Sequence, residues 1–305
     1  MKRRLKAFVR QLLDRTLLPY FEKYRGVGAV NTSGAPPKQR VDPGVQVLLA
    51  LHYKRLLREG HPLPTFDDVG FSSFSQNEED GILLYLFALI GTTNKVCVEL
   101  GAGDGTENNT ANLIINHGWT GLLVDGDAAN AERGREFYAR CPTTFCFPPT
   151  FVQGWIDVEG IDALITKNGI RGEIDLLSID IDGNDYWVWK AIESIRPRVV
   201  VVECHNIWTA DRAVTVPYRR DFNKYDVHPD YSGASLLALV KLGRAKGYRL
   251  VGCHRYGFNA FFVREGIGEA VLPEVAPATC LNHPQALRGQ QTRFLEVKDR
   301  EWVEV

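Results

Sequence analysis

The stretch "VCVELGAGDGTE", residues 96–107, decides the fold. An apolar run typical of a buried strand ends just after Glu99 and breaks into glycines at Gly101, Gly103 and Gly105. In an open α/β sheet, ligands bind beyond the carboxyl ends of the strands, where glycines let a ligand approach the backbone. We therefore expect all three glycines to leave room for a ligand between a first strand and its helix.

Strands and helices alternate on either side of this turn. Strands are predicted over residues 95–100, 121–125, 144–147, 174–179, 198–203, 248–253 and 259–263. Helices are predicted over residues 106–117, 128–139, 160–167, 185–194 and 234–246. This alternation predicts an α/β fold with a Rossmann-like seven-stranded sheet, mostly parallel, and helices on both faces. A short turn at residues 255–258 joins the last two strands, so the last strand should be reversed.

The composition excludes several classes of protein. The chain has 305 residues, of which 36 are Lys or Arg and 37 are Asp or Glu, so its net charge is −1. Such a balance gives no general affinity for nucleic acid. Six scattered cysteines form no CxxC pair, so we expect reduced thiols and a cytoplasmic protein. No apolar run approaches the roughly 20 residues that span a bilayer, and no signal-peptide core is present.

The N-terminal part differs from the rest. Residues 1–26 carry eight Lys and Arg against two acids, with apolar residues at helical spacing, and residues 26–44 are rich in Gly, Pro and Ser. We predict a helical extension and linker over residues 1–70 and a catalytic domain over residues 71–305. The basic helix either lies on the inner face of an anionic membrane or packs on its own domain or on a second subunit of a homo-oligomer.

The glycine spacing argues against a dinucleotide. A nicotinamide-dependent oxidoreductase would need G-x-G-x-x-G, whereas residue 106 is Thr, and the carboxylate of Glu99 would repel a pyrophosphate. S-adenosylmethionine fits instead, because it has an ammonium, a sulfonium and a ribose but no phosphate. Asp125 ends the next strand, where a carboxylate accepts ribose hydroxyls. The predicted cofactor-binding residues here are Glu99, Gly101, Ala102, Gly103, Asp125 and Gly126.

The sequence resembles the class I S-adenosylmethionine-dependent methyltransferases, and among them the FkbM-like family. The similar stretches, in the family's order between residues 74 and 264, are "FSQNEEDGIL", "VELGAGDGTE", "GWTGLLVDGD", "IDLLSIDIDGNDYWVWKAI", "RPRVVVVECHN" and "GYRLVGCHRYGFNAFFV". The resemblance implies a seven-stranded sheet with a reversed last strand, and O-methylation of sugars or other hydroxylated small molecules. It also implies that Trp155 and Ile156 border the adenine, that Asp157 meets its amine, and that Gln76 and Glu79 close over the cofactor.

A second group of polar residues follows strands four and five. Asp180, Asp182 and Asp185 end the first of these strands, and Glu203, His205 and Asn206 end the second. Converging oxygen ligands suit Mg²⁺, and a cation bound to an acceptor hydroxyl would lower the pKa of that hydroxyl. Asp180, Glu203 and Asn206 are similar to the metal ligands of metal-dependent O-methyltransferases of this fold.

The catalytic base follows less directly from the pattern. His205 is the leading candidate, since a histidine is neutral near pH 7, and Asp182 is the second. Metal-dependent relatives often place Lys or His three residues after the first acid, where this chain has Gly183. The alternative is a metal-free pocket in which Asp180 binds the cofactor's amino group and Glu203 binds substrate hydroxyls.

The acceptor is expected to meet aromatic and polar residues. Trp208 follows strand five, and the segment 208–231 is predicted to be a loop over the active site. Trp208, His228, Tyr231 and Asn259 are therefore candidate substrate residues. We predict an O-methyltransferase acting on a sugar, a glycan precursor or a glycosylated metabolite. The alternatives are a nitrogen, carboxylate or phosphorus-oxyacid acceptor, or a non-catalytic binding module of the same fold.

Overall fold

The computed structural model describes residues 40–305, so the helix predicted over residues 1–26 and most of the linker lie outside the described residues. The strands are β1 (Val96–Leu100), β2 (Thr120–Asp125), β3 (Thr150–Gln153), β4 (Gly172–Ile179), β5 (Ile195–Glu203), β6 (Val214–Thr215), β7 (Tyr248–Cys253), β8 (Asn259–Arg264) and β9 (Val303–Glu304). The helices are α1 (Pro43–Glu59), α2 (Phe66–Val69), α3 (Glu79–Ile90), α4 (Ala111–His117), α5 (Ala128–Arg140), α6 (Ile161–Lys167), α7 (Asp185–Ala191), α8 (Leu236–Ala245), α9 (Pro277–Cys280), α10 (Pro284–Gln291) and α11 (Arg293–Val297), with a 3₁₀ turn at Lys224–Asp226.

One seven-stranded sheet organises the chain, in the order β3-β2-β1-β4-β5-β8-β7. Strands β1 to β5 pair in parallel, and β8 lies antiparallel between β5 and β7. The predicted Rossmann-like sheet with a reversed last strand is therefore confirmed. The strand order reverses between β1 and β4, where the carboxyl ends of both strands open into a crevice.

The central strands are apolar on both sides because both faces of the sheet are covered. Val98, Leu177 and Val200 point into one core, while their neighbours Cys97 and Leu176 belong to the other core. This near-continuous apolar pattern is typical of buried parallel strands. The site residues follow directly after these rigid strands, so their backbone positions are fixed by the sheet.

Helix α1 lies within the segment assigned to the extension, and it packs on the domain. The side chain of Asp42 caps its first turn, and the ring of Tyr53 lies edge-on to the ring of Tyr85 at 5.0 Å. The amide of Asn112 donates to Oε1 of Gln46 at 2.9 Å. The boundary at residue 70 stays a prediction. Among the described residues, no helix combines the length and the apolar character that a bilayer crossing requires.

The third strand was predicted in the wrong place. Residues 144–147 form a turn, in which the side chains of Phe145 and Phe147 are 59% and 88% exposed, and the strand that pairs with β2 is Thr150–Gln153. Both segments are apolar and β-prone, and pairing with β2 decides between them. The helix predicted from residue 106 begins only at Ala111, since the chain before it forms a loop at the mouth of the crevice.

Candidate active site

A cavity of about 570 Å³ opens at the carboxyl ends of β1, β2, β4 and β5. Its wall is strongly acidic, and Lys224 is the one Lys or Arg among the described residues that line it. The acidic residues of the wall are Glu99, Glu107, Asp125, Asp180, Asp182 and Glu203. Such a cavity attracts cations and hydrogen-bond donors and disfavours phosphates.

The glycine turn at the cavity has two different roles. Gly103 has φ +56°, and a methyl group added to it would meet no atom within 4 Å, so its backbone is open. A methyl group at Gly101 would lie 1.7 Å from the carbonyl oxygen of Asp180, and one at Gly105 would lie 2.8 Å from the ring of Phe151. The missing side chains at Gly101 and Gly105 therefore make room for the protein itself. Gly101 still lines the cavity beside Gly103, so a contact between its backbone and a ligand stays a prediction.

Glu99 lies buried on the cavity floor. Its Oε1 accepts a hydrogen bond from the hydroxyl of Ser178 at 2.8 Å, and its Oε2 accepts one from the backbone N–H of Thr110 at 3.0 Å. Burial raises the pKa of Glu99 to about 7. A bound ammonium group would offset that cost of burial and favour the ionised carboxylate.

The carboxylate of Asp125 is held firmly at the end of β2. Its Oδ2 accepts from the backbone N–H of Gly103 at 2.8 Å, and its Oδ1 accepts from the N–H of Asp127 at 2.9 Å and from Nδ2 of Asn130 at 3.0 Å. These bonds join the glycine turn to the second strand. They leave the carboxylate with a fixed direction at the cavity wall, as recognition of a ribose requires.

An exposed aromatic ring stands beside this carboxylate. Trp155 is 55% exposed, and its ring lies 3.4 Å from the position of a methyl group added to Gly126. Gln76, Gly126, Trp155 and Ile156 all line the cavity, as their predicted role requires. Asp157 does not line it, because its carboxylate binds Nε of Arg220 at 2.8 Å and the N–H of Gly160 at 2.6 Å.

Three carboxylates converge on the other side of the cavity. One oxygen each of Asp180, Asp182 and Glu203 lies within 4.8 Å of the other two. Burial, with the neighbouring acids, raises the pKa of Asp180 to about 8 and raises the pKa of Glu203 well above its usual range. Nζ of Lys224 donates to Oδ1 of Asp182, so the positive charge of this lysine already balances part of the negative charge of the cluster.

The structure does not bring two of the predicted residues into this cluster. The amide of Asn206 is buried and donates to the carbonyl oxygen of Tyr256 at 2.8 Å, and Asp182 stands with the two acids instead. Nε2 of His205 lies 2.7 Å from the carbonyl oxygen of Asp230, so this nitrogen must carry a proton. Burial lowers the pKa of His205 to about 4, and its ring does not line the cavity.

The predicted substrate loop does reach the cavity, but through other residues. Phe222, Lys224 and Tyr225 line the wall, whereas Trp208 and Tyr231 pack in a small separate core. The hydroxyl of Tyr231 donates to the carbonyl oxygen of Glu301 at 2.6 Å, and Nδ1 of His228 accepts from the N–H of Asp230 at 3.1 Å. We call residues 217–230 the cap loop. Sequence spacing gave no sign that Lys224 would meet an acid 42 residues away.

Two buried amides complete the wall. Asn259 and Asn184 line the cavity, and the Oδ1 atom of each is buried without a hydrogen-bond partner. Nδ2 of Asn259 donates to Glu79 at 2.9 Å, and Nδ2 of Asn184 donates to the carbonyl oxygen of Arg219 at 2.7 Å. A backbone carbonyl oxygen can only accept, as can an ionised carboxylate, so each amide presents its nitrogen to its partner and leaves its oxygen free. A buried acceptor without a partner is costly, so a ligand with hydroxyl groups suits this wall.

Several other wall residues went unrecognised in the sequence. Asn108 and Asn109 belong to a polar run between the glycine turn and α4, and this run was assigned to the helix. Its Asn-Asn-Thr composition, typical of loops and helix starts, is the signal that would have found them. Nδ2 of Asn109 donates to the hydroxyl of Ser178 at 3.0 Å, and that hydroxyl binds Glu99.

Comparison with known proteins supports the resemblance inferred from the motifs. Residues 155–250 match the family described as the methyltransferase FkbM domain. This segment contains Trp155, the three-carboxylate cluster and the cap loop. None of the curated protein sequences matches the chain significantly.

Solved structures of methyltransferases are also similar to the chain. Magnesium protoporphyrin IX methyltransferase from Synechocystis PCC 6803, with bound SAM, is 13% identical, with a TM-score of 0.37 over 85% of this chain and 97% of that one. An O-methyltransferase family protein from Burkholderia thailandensis is 14% identical, with a TM-score of 0.40 over 73% and 60%. These values are low, so the substrates of those proteins say nothing about this chain.

Proposed function

We propose that the chain, whose residues 155–250 match the family described as the methyltransferase FkbM domain, transfers a methyl group from S-adenosylmethionine to a hydroxyl of an acceptor. The acceptor is a sugar, a glycan precursor or a glycosylated metabolite. The observation that carries the proposal is the chemistry of the cavity wall, which combines six carboxylates with the two unpartnered amide oxygens of Asn184 and Asn259.

The residues on the β1–β2 side fit the cofactor. When bound, S-adenosylmethionine supplies a methyl group that is already activated by its positive sulfur. Glu99 would hold the ammonium, Asp125 the ribose hydroxyls and Trp155 the adenine, while the open backbone of Gly103 admits the ligand. A pyrophosphate would meet the carboxylates of both Glu99 and Asp125, which argues against a dinucleotide.

The residues on the β4–β5 side fit a hydroxylated acceptor. Asp180, Asp182 and Glu203 accept hydrogen bonds when ionised, as do Asn184 and Asn259 through their free oxygens. Acceptor hydroxyls can satisfy all of these groups by donating protons to them. An ionised acceptor, either a carboxylate or a phosphorus oxyacid, has no proton to donate to the free oxygens of Asn184 and Asn259, so it fits this wall less well.

We assign the role of general base to Asp180 rather than to His205. A base must lie within hydrogen-bond reach of the proton it removes, and Asp180 lines the cavity while His205 does not. A pKa of about 8 gives the carboxylate of Asp180 enough basicity to assist a hydroxyl as it attacks the methyl group. Asp182 stays beside it, paired with Lys224.

The three-carboxylate cluster also fits a divalent cation. Three carboxylate oxygens within 4.8 Å of one another form a hard donor set of the kind that Mg²⁺ and Ca²⁺ prefer. In that case Asp180 would be a ligand and not the base: Asp180, Asp182 and Glu203 would hold the ion, and Lys224 would give up its bond to Asp182. The ion would supply positive charge that lowers the pKa of an acceptor hydroxyl.

Replacement of Asp125 tests the cofactor proposal. We expect the chain to bind S-adenosylhomocysteine in calorimetry, and Asp125→Ala to weaken this binding at least about tenfold, since it removes hydrogen bonds to charged acceptors worth about 1.5–3 kcal/mol each. Asp127→Ala is the matched control, because its carboxylate caps α5 and does not line the cavity. Failure of the folded wild-type chain to bind would contradict the proposal, and so would equal affinity of the Asp125 variant.

Titration with Mg²⁺ tests whether the three carboxylates bind a divalent cation. The pKa of Asp180 is raised, so its carboxyl is protonated below about pH 8 and ionised above it. Mg²⁺ binds the ionised form, so its affinity should rise as the pH increases through 8, with release of a proton on binding. Calorimetry in buffers with different ionisation enthalpies measures both quantities. Methyl transfer that EDTA leaves unchanged would rule out a role for the ion in the reaction.

A further inference from the structure

Helix α1 exposes a face that the domain does not cover. Its inner side packs on the domain through buried Gln46 and Tyr53, while Leu48 and Leu51 on the opposite side are 66% and 56% exposed. Val45 and Val47 beside them are each 47% exposed. We call these four residues the apolar patch of α1.

The exposed charge next to this patch is positive. Lys54, Arg55 and Arg58 follow within two turns, and all three are exposed. Glu59 is the one acid within α1, and it lies 3.0 Å from Nε of Arg55 and 3.6 Å from Nη2 of Arg58. The outer side of the helix therefore combines large aliphatic side chains with a net positive charge.

The sequence before α1 also carries a net positive charge. Residues 1–39 contain nine of the chain's 36 Lys and Arg but only two of its 37 Asp and Glu. Docking of that segment onto α1 would bring positive charge against positive charge, and so would pairing of α1 with its copy in a dimer. The charges therefore favour a partner that is anionic, and the leucines favour one with an apolar interior.

We propose that the outer side of α1 binds the surface of an anionic membrane. A helix of this composition lies in the interface, with its aliphatic side chains at the level of the acyl chains and its Lys and Arg among the headgroups. Leu48 and Leu51 would insert, and Lys54, Arg55 and Arg58 would meet the lipid phosphates. This role is independent of the methyl-transfer chemistry, because α1 contributes no residue to the cavity wall.

Sedimentation of the full chain with vesicles tests the proposal. We expect binding to vesicles that contain phosphatidylglycerol, little binding to phosphatidylcholine alone, and weaker binding at high salt. The double variant Leu48→Glu, Leu51→Glu should bind at least about tenfold more weakly, since each leucine loses its burial in the lipid. Lys54→Gln should weaken binding about fivefold, as expected for one basic residue at the surface.

The matched control is the double variant Leu287→Glu, Leu295→Glu. These leucines are 45% and 55% exposed on α10 and α11, which are distant from α1 in the sequence, and their replacement should leave vesicle binding unchanged. The melting temperatures of all variants should stay close to that of the wild type. Unchanged binding of the Leu48, Leu51 variant would overturn the proposal. The proposal would also be overturned if the wild-type chain did not bind the vesicles. It would equally be overturned if the wild-type chain were a dimer and the two substitutions in α1 converted it to a monomer.

Discussion

Asp180→Asn should abolish methyl transfer and at the same time make the protein more stable above neutral pH. The substitution keeps the shape of the side chain but removes the base, which typically contributes a factor of about 10² to 10⁴ to a rate. It also removes a group whose pKa is raised on folding to about 8. A carboxyl of that kind has no effect on stability below about pH 3.8, where both states are protonated, and it opposes folding increasingly as the pH rises from there to the folded pKa of about 8.

Thermal melts across pH and transfer of a labelled methyl group from S-adenosylmethionine to a panel of sugars measure the two effects. The melting temperature of Asp180→Asn should exceed that of the wild type above pH 8 and equal it below pH 3.8, where the carboxyl is protonated in both states. The gain should be about 2–4 °C for each kcal/mol recovered. A variant that transfers methyl groups at the wild-type rate would remove Asp180 from the mechanism.

Asp175→Asn provides the control for stability. Asp175 is buried in β4, the strand that Asp180 directly follows, and its carboxylate accepts hydrogen bonds from the backbone N–H groups of Thr93, Asn94 and Lys95 at 2.7–3.0 Å. Its replacement should lower the melting temperature and leave the chemistry of the cavity intact. Opposite effects of the same substitution at the two positions would separate a structural carboxylate from one kept for function.

Gly101→Ala and Gly103→Ala should differ sharply, although only Ala102 separates the two glycines. At Gly101, with φ +90°, the added methyl group would lie 1.7 Å from the carbonyl oxygen of Asp180, so β1 and β4 would have to move apart. We expect a loss of about 3 kcal/mol or more, and little folded protein. At Gly103 the methyl group enters open space, and the strain of a left-handed alanine costs only about 1–2 kcal/mol.

The Gly103 variant should therefore fold and fail to bind the cofactor well. Its methyl group would project where the ligand must approach the backbone, so the affinity for S-adenosylhomocysteine should fall at least about tenfold. Circular dichroism gives the folded state of both variants, and calorimetry gives the affinity of the one that folds. Normal affinity of Gly103→Ala would mean that the cofactor does not lie over this turn.

The sequence was most informative where local patterns and the fold agree. The run from Val96 to Gly105 placed the first strand and its turn correctly, and the short connection before Asn259 gave the reversed strand. The error in β3 arose because Phe145 and Phe147 make an apolar, β-prone run of the same kind as Thr150–Gln153. Only pairing with β2, which is not a local property, separates the two.

The limits of the site prediction have a similar cause. Asp180 and Glu203 were predicted correctly to lie at the cavity because they stand at the ends of strands. The position of a strand end does not determine the direction of a side chain two or three residues later. His205 and Asn206 turn away to meet backbone carbonyl groups of distant segments. Lys224 arrives from a long loop whose path no periodicity determines.

The cap loop is tied to both halves of the cavity. The carbonyl oxygen of Arg220 accepts from the indole of Trp155 at 2.7 Å, its guanidinium binds Asp157, and Lys224 binds Asp182. An adenine stacked on Trp155 would therefore restrain the segment that walls the acceptor side. The two substrates should not enter independently: steady-state kinetics should follow a compulsory order, with the nucleoside first and the acceptor second.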